Sequence, residues 1–127
     1  DSAAAAVREA DVAITMLEHG DVVADVLFAQ GVADALPRGA LLIDMSSIKP
    51  AQARAHAEAL AARGAAHLDA PVSGGTVGAE AGTLAIMAGG EAADFARAQP
   101  VFAPLGRATP RMSANVGANC AGWVGTV

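Results

Sequence analysis

Tyrosine is absent from the chain, tryptophan occurs once, at Trp123, and phenylalanine only three times. A core of this chain is therefore built from Val, Leu, Ile and Met rather than from rings. A single cysteine, Cys120, excludes an intrachain disulfide and a cysteine-rich metal site, and it fits a reducing cytoplasm. Lys49 is the only lysine, no run of Lys and Arg occurs, and the net charge is −5. That balance argues against nucleic acid and against an anionic membrane surface as partners. No apolar run reaches 18 residues, so no transmembrane helix is expected. The opening Asp1-Ser2-Ala3 lacks a charged region followed by an apolar one, so no signal peptide is expected either. The start reads as mid-helix, which suggests a fragment of a cytoplasmic protein.

What the chain has in plenty is alanine: 34 of its 127 residues, within a hydrophobic fraction of 54%. Its length is that of one domain. Short apolar runs alternate with helical stretches. Residues 3–10 read as a short helix, and Val12-Ala13-Ile14-Thr15-Met16-Leu17 as a strand buried on both faces. Asp21 is placed to cap a helix with Val22, Val23, Val26 and Leu27 on one face, ended by Gly31. A turn of helix follows over 32–36, then a Pro37-Arg38-Gly39 turn. Leu41-Leu42-Ile43-Asp44-Met45 reads as a second buried strand. Pro50 starts a helix that runs to about Arg63, with Ala53, Ala57, Leu60 and Ala61 facing inward. A strand over 66–72, a small-residue loop over 76–82 and a strand over 83–88 come next. Glu91 and Asp94 suit the first turn of a helix whose buried side carries Phe95, Ala98 and Phe102, kinked at Pro100. A last short strand is expected within 107–112. Alternating strands and helices imply right-handed crossovers and an α/β fold with a mostly parallel sheet.

In such sheets ligands sit beyond the carboxyl ends of the strands. Three strand ends carry suitable chemistry: Met16-Leu17, Ser46-Ser47 and Ser73-Gly74-Gly75. The last is the most telling. Serine supplies a hydroxyl, and two glycines let bare N–H groups approach an anion. A tight turn that merely needs glycine is the plainer alternative.

The motifs Ile14-Thr15-Met16-Leu17, Ile43-Asp44-Met45-Ser46-Ser47-Ile48-Lys49-Pro50, Asp69-Ala70-Pro71-Val72-Ser73-Gly74-Gly75, Ala81-Gly82-Thr83-Leu84 and Met87-Ala88-Gly89-Gly90 occur in that order. In this register, over about 11–105, the chain resembles the β-hydroxyacid dehydrogenase family of 3-hydroxyisobutyrate dehydrogenase and 2-hydroxy-3-oxopropionate reductase. The resemblance implies the distal part of a Rossmann-like, doubly wound, mostly parallel sheet with flanking helices, followed in the family by a helical dimerisation domain. It implies hydride transfer between NAD or NADP and a small hydroxy acid or semialdehyde. By resemblance, Met16 and Leu17 line the dinucleotide path, Ser47 contacts the cofactor near the nicotinamide, and Ser73, Gly74 and Gly75 hold the substrate carboxylate. Thr83 borders the same pocket. An imine-reducing relative shares the architecture, and a truncated interaction module is the non-catalytic alternative.

Two features of the family are missing. No Gly-x-Gly-x-x-Gly turn stands ahead of these motifs, so residues 1–112 read as a Rossmann-like domain without its first strands and with a bare sheet edge open to self-association. The family's catalytic lysine falls, in register, on Trp123, and its asparagine on Thr126, within a 113–127 tail that fits no helical period. Trp cannot donate a proton to a carbonyl oxygen as an ammonium can. The chain by itself is therefore expected to be inactive.

Other residues suggest less. His19, His56 and His67 share no ligand spacing, and no metal site is expected. Asp44 and Asp69 suit backbone hydrogen bonding in strand-to-helix loops better than a catalytic carboxylate pair. Cys120 has no local basic partner. Lys49, beside the serines, is either a solvated loop residue or an attractor of an anionic ligand.

Overall fold

The computed structural model describes residues 1–108. Trp123, Cys120, Thr126 and the 113–127 tail lie outside the described residues. Among the described residues, helices α1 (Ala3–Val7), α2 (Gly20–Ala24), α3 (Val32–Ala35), α4 (Pro50–Ala62), α5 (Gly75–Ala81) and α6 (Ala92–Phe102) are interspersed with six strands. The strands are β1 (Val12–Thr15), β2 (Leu41–Asp44), β3 (Ala66–Asp69), β4 (Val72–Ser73), β5 (Leu84–Ile86) and β6 (Gly106–Ala108). A π-helical turn, Asp25–Ala29, extends α2.

Strands β1, β2 and β3 form a parallel sheet in that order. β2 is buried along its whole length because it is the middle strand and both of its faces are covered. Leu42 packs with Val23, Leu27, Ala53 and Leu60 under the helices of one face. Leu41 and Ile43 pack with Leu68, Ile86, Ala98 and Phe102 on the other. The alternation follows from the two-residue period of a strand.

A second sheet has the order β4-β5-β6, with β4 antiparallel to β5 and β6 parallel to it. An antiparallel bridge, Asp69 to Gly89, joins the two sheets. Three of the four strand pairings are thus parallel, as a Rossmann-like fold requires.

Three expectations are corrected. The strand expected over 66–72 breaks. Ala70 N still donates to Asp44 O at 2.8 Å, but Pro71 has no N–H to continue the ladder, and its carbonyl accepts instead from Met87 N at 3.0 Å. The expected loop over 76–82 is the helix α5, which closes on Gly82 at φ 66. Gly82 is the left-handed stop that small helices use. In α4 the inward positions are Ala53, His56 and Leu60. Ala61 is exposed and Ala57 half-buried. The inward stripe runs through a histidine, which an apolar periodicity search passes over.

Smaller differences lie at the ends. α1 stops at Val7, capped by Ser2, whose hydroxyl accepts from Ala5 N at 3.1 Å. β1 ends at Thr15, before Met16 and Leu17. His19, not Asp21, occupies the cap position of α2, and Asp21 sits in its first turn. Pro100 lies inside α6, where Ala98 and Phe102 are buried as expected and Phe95 is half-buried against the Phe102 ring at 6.4 Å. No helix among the described residues is long and apolar enough to cross a membrane.

Candidate functional site

The carboxyl ends of β1 and β2 are fastened to each other by side chains. Thr15 donates its hydroxyl to Asp44 Oδ1 at 2.9 Å, and Ser46 N donates to the same oxygen at 3.0 Å. Ser46 in turn accepts from Leu17 N at 2.9 Å. Asp44 is completely buried, so this carboxylate is a structural tie that aims the two loops, in line with the backbone-bonding reading of the sequence. Asp69 pairs with it in register on β3 and is equally buried.

Beyond these ends lies a cavity of about 620 Å³ lined by His19, Gly20, Asp21, Ser47, Ile48, Lys49, Pro50 and Gln52. One wall is the start of α2 with its cap residue His19, and the other is the β2–α4 loop with the first turn of α4. Ser47 and Lys49 are exposed, whereas Ser46 and Ile48 on either side of Ser47 are buried. A hydroxyl, an ammonium and an imidazole thus share one opening at the carboxyl edge of a parallel sheet. That donor set and position fit a dinucleotide, whose riboses and phosphates need hydrogen-bond donors.

Met16 is 62% exposed, next to this opening in sequence but not part of its lining. Leu17 is half-buried against the core under α2 and α4. His19, Asp21 and Gln52 line the cavity without having stood out as site residues in the sequence. The detectable signal was Pro50 at the first position of α4 with Gln52 at the third, three residues after the cap residue Lys49, the spacing of a capping box.

Ser73, Gly74 and Gly75 follow the break at Pro71. Ser73 is half-buried on β4, opposite Ala85, and Gly74 and Gly75 are exposed at the start of α5. Gly74 has φ 133 and Gly75 φ 60, both in the range that favours glycine. A methyl at Gly74 would press on Leu84 Cδ2 at 3.2 Å, whereas nothing lies within 4 Å of one at Gly75. The glycines are therefore demanded by the backbone, and the turn they make is open on its outer side. These three residues do not line that cavity. Thr83, exposed, is held to the same turn region through its N–H to Gly78 O at 2.9 Å.

His56, on the inward face of α4, and His67, on β3, are brought close enough to interact where α4 packs on β3. Burial, reinforced by repulsion from the His56 imidazolium, drives the pKa of His67 down to about 4. His56 is lowered by burial as well, partly offset by Asp44. Both rings are neutral in the folded protein near pH 7. The carboxyl of Asp94 is raised by burial, with Arg97 opposing and Glu91 reinforcing. Among the described residues no three His, Cys, Asp or Glu side chains gather so as to hold a metal ion.

A sequence profile of the NAD binding domain of 6-phosphogluconate dehydrogenase matches residues 1–125. The chain belongs to this NAD-binding family. Within it, the relatives are β-hydroxyacid dehydrogenases. A 3-hydroxyisobutyrate dehydrogenase of Pseudomonas aeruginosa is 47% identical over 108 residues, covering 84% of this chain and 36% of that protein. A 2-hydroxy-3-oxopropionate reductase of Escherichia coli is 42% identical over 98 residues, 76% of this chain and 34% of the reductase. The chain thus spans about a third of the length of the curated relatives it matches.

The structure of Mycobacterium tuberculosis 3-hydroxyisobutyrate dehydrogenase with L-serine superposes with a TM-score of 0.85 at 42% identity, over 90% of this chain and 38% of that one. A variant imine reductase of Myxococcus stipitatus in complex with NAD+ superposes at 0.83 with 28% identity, over 95% and 42%. An imine reductase of the same organism in complex with NADP+ gives 0.79 at the same identity and coverage. The family's members are NAD(P)-dependent oxidoreductases, and the Rossmann-like fold of the β-hydroxyacid dehydrogenases is the fold of this chain.

Proposed function

We propose that this chain is the distal part of the dinucleotide domain of a dehydrogenase that interconverts a small hydroxy acid and its semialdehyde with NAD or NADP. The observation that carries the reading is the Ser73-Gly74-Gly75 turn. It is a hydroxyl beside two glycines at positive φ, open to solvent, following the strand next to β2. A carboxylate is well served by such a set, since bonds to an ionised acceptor are the stronger kind. The nicotinamide, when bound, supplies or accepts the hydride. Ser47 binds it near its reactive end, Met16 and Leu17 line its path, and Ser73, Gly74 and Gly75 orient the substrate by its carboxylate. Thr83 borders the substrate side.

The same reading divides the chain into a partial Rossmann-like domain, 1–112, and a tail, 113–127. The tail carries Trp123 where the family's proton-donating lysine falls in register. Together with the absent Gly-x-Gly-x-x-Gly turn, this leaves the 127 residues alone without catalysis. They also carry an open edge on β1, which pairs only with β2 among the described residues, with Ile14 on it and Met16 just beyond it exposed. Such an edge promotes self-association.

The experiment compares this chain with a complete protein in which it is continued by family-like flanking segments. The complete protein is expected to oxidise NAD(P)H with tartronate semialdehyde or reduce NAD(P)+ with 3-hydroxyisobutyrate. The chain alone is expected to show no turnover and to scatter light as dimers or larger species. Reduction of cyclic imines without activity on either hydroxy-acid substrate would instead assign the imine-reductase chemistry of the more distant structural neighbours. No reductase activity of any kind would leave the non-catalytic module.

A further inference from the structure

We infer that Gln52 is a positioning residue of the dinucleotide site: its carboxamide clasps the first turn of α2, through Asp21, to the β2–α4 loop and fixes the gap that Ser47 and Lys49 border. The inference rests on the reading of that cavity as a cofactor wall.

Gln52 stands in the first turn of α4. Its Nε2 donates to Asp21 Oδ1 at 2.9 Å, across 31 residues of sequence, and its Oε1 accepts from Lys49 N at 3.2 Å. The orientation of the amide is unambiguous. A backbone N–H only donates and a carboxylate only accepts, so the oxygen must face Lys49 and the nitrogen Asp21. The side chain packs against Gly20, where a methyl would overlap the carboxamide. Gly20 has no positive φ to demand glycine, so space for Gln52 is what the position supplies.

The β2–α4 loop is held at three points. The Ser46 hydroxyl accepts from Leu17 N, Ile48 is buried in the core with Val23 and Ala53, and Lys49 N–H goes to Gln52. The side chains left facing the cavity are those of Ser47 and Lys49. Without the third point, Lys49 loses its tie and the Asp21 end of the opposite wall is released with it. The ligand then bears the ordering cost of both walls, which appears in affinity more than in the chemical step.

The test uses the complete dehydrogenase and steady-state kinetics at saturating substrate. Gln52→Glu keeps an oxygen for Lys49 N but turns the other towards the Asp21 carboxylate, so the clasp opens by repulsion. Gly20→Ala opens it by pushing the carboxamide aside while leaving every polar group in place. Each is expected to raise KM for NAD(P)H about five- to tenfold with kcat within about twofold, the scale of one or two net hydrogen bonds. Asp21→Asn placed in the Gln52→Glu background restores a donor opposite an acceptor, and KM is expected to return to within about twofold of wild type. A side chain that only stabilised α4 would shift the unfolding midpoint without separating KM from kcat. An unchanged KM in Gln52→Glu, or a double variant no better than the single, overturns the inference. If the wild-type protein itself turns over no NAD(P)H, the functional reading fails separately. The urea midpoints of the same variants then decide the clasp: recovery of Gln52→Glu by Asp21→Asn upholds it, and its absence overturns it.

Discussion

Replacing Ser73 with alanine in the complete dehydrogenase is expected to lower kcat/KM for the hydroxy acid about ten- to a hundredfold, the cost of one hydrogen bond to a charged group. Most of the loss is expected in the substrate KM, because the carboxylate is anchored in the ground state and in the transition state alike. KM for the cofactor is expected to stay put, since Ser73 does not line the cavity that holds Ser47. The two glycines sharpen the prediction. Gly75→Ala meets open space and bears only the strain of φ 60, whereas Gly74→Ala adds pressure on Leu84 to a φ of 133. Gly74→Ala is therefore expected to be the more damaging of the two. Equal, small effects of all three variants on the substrate KM would remove the turn from the site.

The second large effect is on stability in mild acid. His67 is buried and its folded pKa is about 4, below the value near 6.5 of an unfolded histidine. The unfolded chain therefore takes up a proton at a higher pH than the fold does. Stability is fully present above pH 6.5, declines as the pH falls from there towards 4, and levels off below. The span corresponds to roughly 3 kcal/mol for this one group. His56, lowered in the same direction, steepens the decline. Asp94, raised by burial, opposes it, but its side chain is largely solvated and its contribution is correspondingly small. Urea unfolding at pH 7 and pH 4.5 measures the drop. His67→Leu is expected to abolish most of it, and a drop of the same size in that variant would contradict the assignment.

The parts of the fold that were legible in the sequence are those where a single local rule decides. β2 is a short apolar run closed by Asp44 and is buried on both faces. Pro50 opens α4 because a first-turn residue needs no N–H. Phe95, Ala98 and Phe102 follow the helical spacing and turn to the core. The parts that were not legible depend on what competes. Gly75-Thr76-Val77-Gly78-Ala79-Glu80-Ala81 has two glycines and one β-branched pair, poor helix formers by propensity, yet it winds into α5 between the Gly74 turn and the Gly82 stop. The apolar run around 66–72 hides a change of sheet at Pro71, visible only once the carbonyl of Pro71 is seen to pair with Met87.

The site divides in the same way. Ser47 and the Ser73 turn were marked by residue type at strand ends, and the structure places Ser47 in a cavity and the glycines at positive φ. The contacts that hold the walls were hidden because they span distance. Asp21 and Gln52 are 31 positions apart, and Thr15 and Asp44 are 29 apart. His56 and His67 looked scattered, and only the packing of α4 on β3 sets one against the other. Side-chain ties between loops carry no periodicity, so no reading of spacing finds them.

The central claim is that the Ser73-Gly74-Gly75 turn reads a carboxylate, and its most direct test is to remove the charge from the substrate rather than the turn from the protein. The complete dehydrogenase is assayed with 3-hydroxyisobutyrate and with its methyl ester under identical cofactor conditions. The account predicts a kcat/KM for the ester lower by about a hundredfold, since the ester leaves the hydroxyl and N–H donors facing a weak, uncharged acceptor. Equal values for acid and ester would contradict it.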